Sequence, residues 1–427
     1  MVIKRVEDRP SNIIVGSART CYNPSLIEPS QVEMWDKKDK LMMDLFKSGH
    51  YTTFMHSYIS LTIEGISRAL LWYILHNHTN YNSDQVSQRY TRTYDNFYYP
   101  PSLDRVFLKN HYKEILEKYD KLVEIIGGDK RAYEDARYIL PHSMKANLYH
   151  TVNIITLLRY IALSNSLDYF NDEYRNFTEN IENILIDEDV IFKDIISLVK
   201  KNKPSMKYID LDKIERIKEG NVELLNVEQP LYYDTIENYI EPLKTSSVIR
   251  DVYGLSGFTV RMKISLAGDA QNQRHRTSYS VRPNLQKYVK TNSDYYIPSS
   301  IQKNEKALSI YRDVIERSIN LVQQNSDNSD YLYLLPNAYQ IEIVERSDYN
   351  NFIHKAQLRQ CLNAQEEILK LHYEIVGKLE QYMNIDIFGP ICVNRKKYGK
   401  HPFCTEGPRF CGIKMWDEKN YKSYYNS

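Results

Sequence analysis

Gln271-Asn272-Gln273-Arg274-His275-Arg276 is the stretch to which the rest of the chain has to be fitted. Two guanidiniums flank an imidazole in it, and this triplet lies only in the C-terminal half. A second run, Ser87-Gln88-Arg89-Tyr90, lies only in the N-terminal half. Each half carries what the other lacks, so one composite site built from both accounts for the division.

Working outward, two landmarks recur at matched spacing. Tyr90 is followed ten positions later by Pro100, and Tyr288 ten positions later by Pro298. Leu140-Pro141 finds its counterpart in Leu335-Pro336, and Val2-Ile3-Lys4-Arg5-Val6-Glu7 resembles Val222-Glu223-Leu224-Leu225-Asn226-Val227. Self-similarity of this kind is weighed before any fold is assigned. The bland alternative is two unrelated domains that share Tyr/Pro loops by composition. The repeat reading divides the chain into 1–203, a linker at 204–220 and 221–427, with Pro204 disfavouring helix just before it. Gln31 to Ser48 reads as helix, with Met34, Leu41, Met42 and Leu45 on one face. Tyr58 to Ile63 and Gly257 to Ile264 alternate like strands, and long amphipathic helices are expected over Asn304 to Asn325 and Leu358 to Tyr382. The expected class is α+β, two pseudo-symmetric repeats, each an antiparallel sheet with packed helices.

Size and composition agree with this. The chain has 427 residues, 42% hydrophobic and 26% charged, which suits two or three soluble globular domains. A net charge of +1 argues against nucleic acid as a partner but leaves room for a local pocket for one small anion. Met1 to Val15 does not read as a signal peptide. Ile59 to Leu75 is interrupted by Glu64 and Arg68, so no membrane span is expected. Five unevenly spread cysteines suit a reducing compartment, and a cytoplasmic location is expected.

Arg-His-Arg sets two fixed cations beside an imidazole. Arginine grips phosphate or a planar carbonyl-imide edge with a two-point fork, and two so close repel unless an anion or carbonyls lie between them. Alone, such a triplet is more often a basic helix terminus at the surface. Its neighbourhood adds Gln271, three positions earlier and on the same helical face, and Arg359, 23 residues after Pro336. The first half adds Arg137 in Ala136-Arg137-Tyr138-Ile139-Leu140-Pro141. His50 sits on a loop before a strand, a position where a lone histidine is more often structural.

These motifs together resemble the flavin-dependent thymidylate synthases, whose signature is Arg-His-Arg, seven residues, then Ser-x-Arg-Tyr. The first half shows Gly49-His50-Tyr51-Thr52-Thr53-Phe54-Met55-His56, Gly65-Ile66-Ser67-Arg68-Ala69-Leu70, Ser87-Gln88-Arg89-Tyr90, Ala136-Arg137 and Thr151-Val152-Asn153. The second shows Arg274-His275-Arg276, and Arg359 followed by Ala364-Gln365. The departures are systematic. His76-Asn77-His78-Thr79 replaces the triplet in the first half, where Ser164 stands at the spacing of Arg359. Leu285-Gln286-Lys287-Tyr288 replaces Ser-x-Arg-Tyr in the second, and Leu332 stands where the first half has Arg137.

The resemblance implies a thymidylate synthase that methylates dUMP to dTMP with methylenetetrahydrofolate, FAD and NADPH, at a composite site between the repeats. It implies that Gln271, Arg274 and Arg359 hold dUMP from one side and Ser87, Gln88, Arg89 and Arg137 from the other. His275, Arg276 and Asn153 would contact FAD, with His50 near the flavin and the folate. Arg274, Arg359 and His50 would be catalytic. Family active sites lie between subunits of a homotetramer, so a chain of two fused units implies a homodimer. The other pseudo-symmetric site, with Leu285 and Lys287 facing Asn77 and Thr79, could hardly grip a phosphate. Rival readings are a related pyrimidine hydroxymethylase, a non-catalytic nucleotide- or flavin-binding homologue, and a structural helper for an intact synthase. Cys392, His401, Cys404 and Cys411 form a weak zinc candidate, since they lack a tight Cys-x-x-Cys pair; three thiols in a Gly/Pro-rich tail is the plainer reading.

Overall fold

The computed structural model describes residues 8–77, 81–89, 95–201, 204, 208, 217, 219–230, 236–241, 252–384, 386–417 and 420. Val2 to Glu7, His78, Thr79, Tyr90 and most of the 204–220 linker lie outside the described residues.

The chain is α+β. One antiparallel sheet has the order β1-β3-β2, with β1 at Tyr58–Ser67, β2 at Tyr81–Gln85 and β3 at Lys145–Asn153. The other has the order β4-β5-β7-β6, with β4 at Val222–Val227, β5 at Gly257–Ser265, β6 at Tyr279–Val281 and β7 at Gln340–Asp348. Leaving aside the extra edge strand β4, both halves run strand, helix, short edge strand, long helix, strand, helix. β1 pairs with β3 from Tyr58↔Asn153 to Ser67↔Lys145, and β5 with β7 from Gly257↔Asp348 to Ser265↔Gln340.

The helices start for matching local reasons. Ser67 Oγ accepts from Leu70 N (3.0 Å) and Ser265 Oγ from Gly268 N (2.9 Å), so each first strand turns directly into a capped helix, Arg68–Asn77 or Leu266–Asn272. Asn153 and Asp348 cap the helices after β3 and β7 in the same way, through Thr156 N and Asn351 N.

The halves meet reciprocally. Pro141 and Pro336 form a β-bridge. His142 N donates to Leu335 O and Ser143 N to Tyr333 O, while Asn337 N donates to Leu140 O and Ala338 N to Tyr138 O. Two buried carboxylates repeat the exchange. Glu173 accepts from Ser67 N and Oγ of its own half and from Tyr333 OH of the other (2.9 Å). Glu367 accepts from Ser265 N and Oγ of its own half and from Tyr138 OH of the other (2.8 Å). One apolar core runs through both halves, from Ile14 to Phe388.

Gly268 lies in this junction. A Cβ there would come within 2.7 Å of Glu367 Oε2 and 2.8 Å of Ile264 Cγ1. The three donors on Glu367 keep it from stepping aside. Alanine should gain up to about 1 kcal/mol of helix propensity but lose about 1–3 kcal/mol to overpacking. Gly268→Ala is therefore expected to lower the urea midpoint.

Two expected helices are broken. Gln31 to Ser48 divides into Ser30–Glu33 and Lys38–Lys47, and Met34, assigned to the apolar face, is 92% exposed. The break lets Trp35 lie against Arg19, whose guanidinium sits 4.2 Å from the ring. Leu358 to Tyr382 divides into Tyr349–Arg359 and Glu366–Leu379, and the intervening loop reaches into the first half through Asn363 and Gln365. The 304–325 expectation corresponds to Glu305–Gln324, capped by Asn304.

Candidate active site

The Leu266–Asn272 helix ends at the triplet. Gln271 is buried, its Oε1 has no partner, and its carbonyl accepts from Arg359 Nη2 (3.1 Å). The next residues leave the helix in tight turns, Arg274 N reaching Gln271 O and His275 N reaching Asn272 O. Arg274 emerges exposed on the side of Arg68.

Arg68, Arg89 and Arg137 approach from the first half. Arg68 opens its helix directly after the Ser67 turn and donates to Val86 O through Nη2 (2.9 Å). Burial, with Arg137 and Arg274 close by, lowers its pKa to about 9. Arg137 is buried and donates to Gln365 Oε1 (2.5 Å); burial also lowers its pKa, and Arg89 is among its neighbouring charges. Arg89 pairs with Glu134 and donates to Asn363 O (2.8 Å). Gln88 Oε1 accepts from Asn337 Nδ2 (3.4 Å), while its buried Nε2 has no partner. Ser87 Oγ accepts from Arg89 N (3.1 Å) and shapes the turn that aims Arg89. Arg68, Gln88, Arg137, Gln273 and Asn337 line a narrow cavity of about 30 Å³, the room of one water.

A larger cavity of about 240 Å³ adjoins it and shares Trp72, Leu75, His76 and Gln273. Tyr73, Tyr81 and Tyr169 of the first half face His275, Arg276 and Arg282 of the second across it. Asp269 anchors one wall. It is fully buried and receives Arg282 through two bonds of 2.6 Å and Trp72 Nε1 at 2.9 Å. Burial alone would raise its pKa, but Arg282 and the other donors bring it down to about 2.

The other expected cofactor ligands are placed less simply. His275 is packed 5.7 Å from the ring of His354, has an unpartnered Nε2, and burial holds it well below the ordinary histidine range. Arg276 lines the 240 Å³ cavity and is also bonded to the other half. It donates to Tyr81 O, Asn82 Oδ1 and Ser83 O and lies 4.5 Å over the Tyr81 ring, clamping β2 of the other half. Asn153 is fully buried as a helix cap, with an unpartnered Nδ2. His50 is exposed in its own turn, where its carbonyl accepts from Thr53 Oγ1, and it lines neither cavity. The fold thus brings Gln88 and Arg137 to one cavity, Arg89 beside Arg137 and Arg359 against Gln271, with Arg274 near Arg68, and leaves His50 and Asn153 apart among the described contacts. Sequence reasoning quoted Arg68 within a motif without giving it a role; its signal was a charge directly after a strand-ending serine. Asp269 was missed.

Among the described residues no group of three or more His, Cys, Asp or Glu is arranged to hold a metal ion. Of the zinc candidates, His401 is exposed, while Cys392 is buried with Cys404 and Cys411 among its neighbouring groups. Among the described residues no helix is long and apolar enough to cross a membrane.

Arg68 and Arg137 line one narrow cavity with Gln88 and Asn337, Arg274 lies within electrostatic reach of Arg68, and both halves of an α+β protein contribute to these walls. The chain belongs to the family described as thymidylate synthase complementing protein, whose profile matches residues 2–188 and again 210–383. It is 27% identical over 171 residues to the flavin-dependent thymidylate synthase of Clostridium tetani, covering 35% of this chain and 68% of that one. It is 29% identical over 148 residues to the flavin-dependent thymidylate synthase of Sulfurisphaera tokodaii, covering 33% of this chain and 53% of that one. Among solved structures, a UMP/dUMP methylase PolB from Streptomyces cacaoi aligns with a TM-score of 0.39 at 18% identity, over 45% of this chain and 93% of the other. By the names of these relatives the family is one of enzymes.

Proposed function

We propose that the chain methylates dUMP to dTMP, using methylenetetrahydrofolate, FAD and NADPH, at one composite site between two synthase-like repeats, 1–203 and 221–427. The observation that carries this reading is that Arg68 and Arg137 of the first half lie within electrostatic reach of one another and Arg68 of Arg274 in the second, with Arg89 beside Arg137 and Arg359 held on the Gln271 carbonyl. Like charges gathered in a partly buried cleft are costly unless an anion offsets them, and a nucleotide phosphate does so.

The residues have divided duties in this reading. Arg89 and Arg137 are set by Asn363 and Gln365 of the other half, so docking of the repeats positions the grip. Gln271 Oε1 and Gln88 Nε2 supply an unpaired acceptor and an unpaired donor, the complement of a uracil edge. Arg274 stabilises negative charge developing on the pyrimidine ring. The aromatic walls and cations of the 240 Å³ cavity suit one end of a flavin nucleotide, with His275 Nε2 free to bond it. When bound, the flavin supplies the hydride chemistry.

The pseudo-symmetric position is inactive in this reading. Leu285 and Leu332 are buried in the core, and His76 is spent on Trp72 O beside Asp269. Isothermal titration should therefore find one dUMP site per chain, and two equal sites would reject the composite arrangement. Two repeats per chain also favour a homodimer, acting in the cytoplasm. The decisive test is rescue of a thymidine-requiring strain, with mass spectrometry of the purified enzyme's product. Absence of both rescue and turnover would defeat the proposal, and a product 16 mass units heavier than dTMP would mean hydroxymethylation.

A further inference from the structure

The buried carboxylate of Glu367 is linked to the nucleotide site by a continuous relay. Arg137 donates to Gln365 Oε1 (2.5 Å), and Gln365 Nε2 donates to Tyr138 OH. Tyr138 OH donates to Glu367 Oε2 (2.8 Å). The same carboxylate accepts from Ser265 N (2.6 Å) and Ser265 Oγ (2.5 Å), and Ser265 Oγ accepts from Gly268 N. Ser265 caps the helix that ends at Gln271 and Arg274. The relay therefore runs from the buried arginine of one half to the first turn of the helix that presents the other half's grip.

The mirror copy has the same core and lacks the output. Glu173 accepts from Ser67 N, Ser67 Oγ and Tyr333 OH. Two positions before Glu173, where Gln365 stands relative to Glu367, is Asn171. Four positions before Pro336, where Arg137 stands relative to Pro141, is Leu332. Among the described residues this copy's side-chain relay passes from Tyr333 to Tyr98 and reaches no arginine. Both copies bind the repeats together, but only the Glu367 copy has an arginine to aim.

We propose that Glu367 is a positioning residue: through Tyr138 and Gln365 it fixes the Arg137 guanidinium, and through Ser265 it fixes the helix that carries Gln271 and leads into the turn bearing Arg274, so that both sides of the site are held in register. This rests on the dUMP reading above. Three donors converge on Glu367, so it acts as an acceptor only. Glutamine there would set an amide N–H against one of them and break the relay at its centre.

The mirror copy supplies the control. Glu367→Gln and Glu173→Gln should both lower thermal stability, since each removes a buried acceptor. Only Glu367→Gln should weaken dUMP, raising its Kd and KM about tenfold with a smaller change in kcat, while Glu173→Gln should stay within about twofold. Tyr138→Phe and Tyr333→Phe form a gentler pair with the same expectation, and they decide the matter if the glutamine variants fail to fold. Equal effects on dUMP within each pair, or no effect of Glu367→Gln or Tyr138→Phe, would overturn the inference. A wild-type chain that neither binds dUMP nor releases tritium from it would remove the parent reading itself, a result separable from the first.

Discussion

Arg274→Ala is expected to abolish tritium release from [5-³H]dUMP, with a loss of about a thousandfold or more. The size follows from where the residue stands. Arg274 is the exposed member of a cation cluster whose other members are committed to protein partners: Arg68 to Val86, Arg89 to Glu134 and Asn363, Arg137 to Gln365 and Arg359 to Gln271. It is the group best placed to meet a ligand from the open side. Its removal should not unfold the chain. Arg274 contributes to the repulsion that lowers the pKa of Arg68, so the alanine variant should be as stable as wild type or slightly more so. Activity and stability should thus move independently, which separates a functional loss from misfolding. Lysine at 274 should restore little, because it lacks the planar fork. Wild-type turnover by the alanine variant would remove Arg274 from the chemistry.

How much of this was legible in sequence depends on the kind of signal. The strands at Tyr58 and Gly257 and the 305–324 helix were readable because they follow simple periodicity. The matched spacings marked Arg274 and Arg89 as complementary positions of the two halves, and that reading is carried into the proposed function. The Glu173 and Glu367 pair was not. Pro141 and Pro336 are 195 apart but the two glutamates are 194 apart, a one-residue shift that blurs the correspondence. Tertiary contacts hid the rest. The helix break at Met34 answers to Trp35 and Arg19, and the loop after Arg359 answers to arginines more than two hundred residues earlier. Arg276, given a cofactor role by motif, lines the 240 Å³ cavity, and its described bonds to β2 could not be read from the motif. A motif names the residue, and the partner half decides what that residue touches.

A steep loss of stability between about pH 6.5 and 4 is the other large expectation. Burial depresses the pKa of seven of the eleven histidines. His76, His111 and His150 fall to about 4 and His142 to about 3. Well above pH 6.5 these rings are neutral whether the chain is folded or not, so there they contribute little pH dependence. As pH falls below the unfolded value, the unfolded chain takes up protons that the folded chain refuses. Each such histidine then costs about 1.4 kcal/mol per pH unit until its folded pKa is reached. Three buried carboxyls act in the opposite sense, since burial raises Asp135 to about 6 and raises Glu173 and Glu367 as well. The four histidines that fall to about 3–4, set against Asp135, leave roughly three protons, or about 4 kcal/mol per pH unit in the middle of the window. A domain with about 5–15 kcal/mol in hand loses it within about one to four units. Urea midpoints measured by circular dichroism at pH 7.5, 6.5, 5.5 and 5.0 should therefore change little over the first step and drop sharply over the later ones. The Asp269–Arg282 pair cannot account for such a drop. With its folded pKa near 2, its contribution is lost only below about pH 4. A midpoint unchanged down to pH 5 would show that these histidines are not held neutral in the fold.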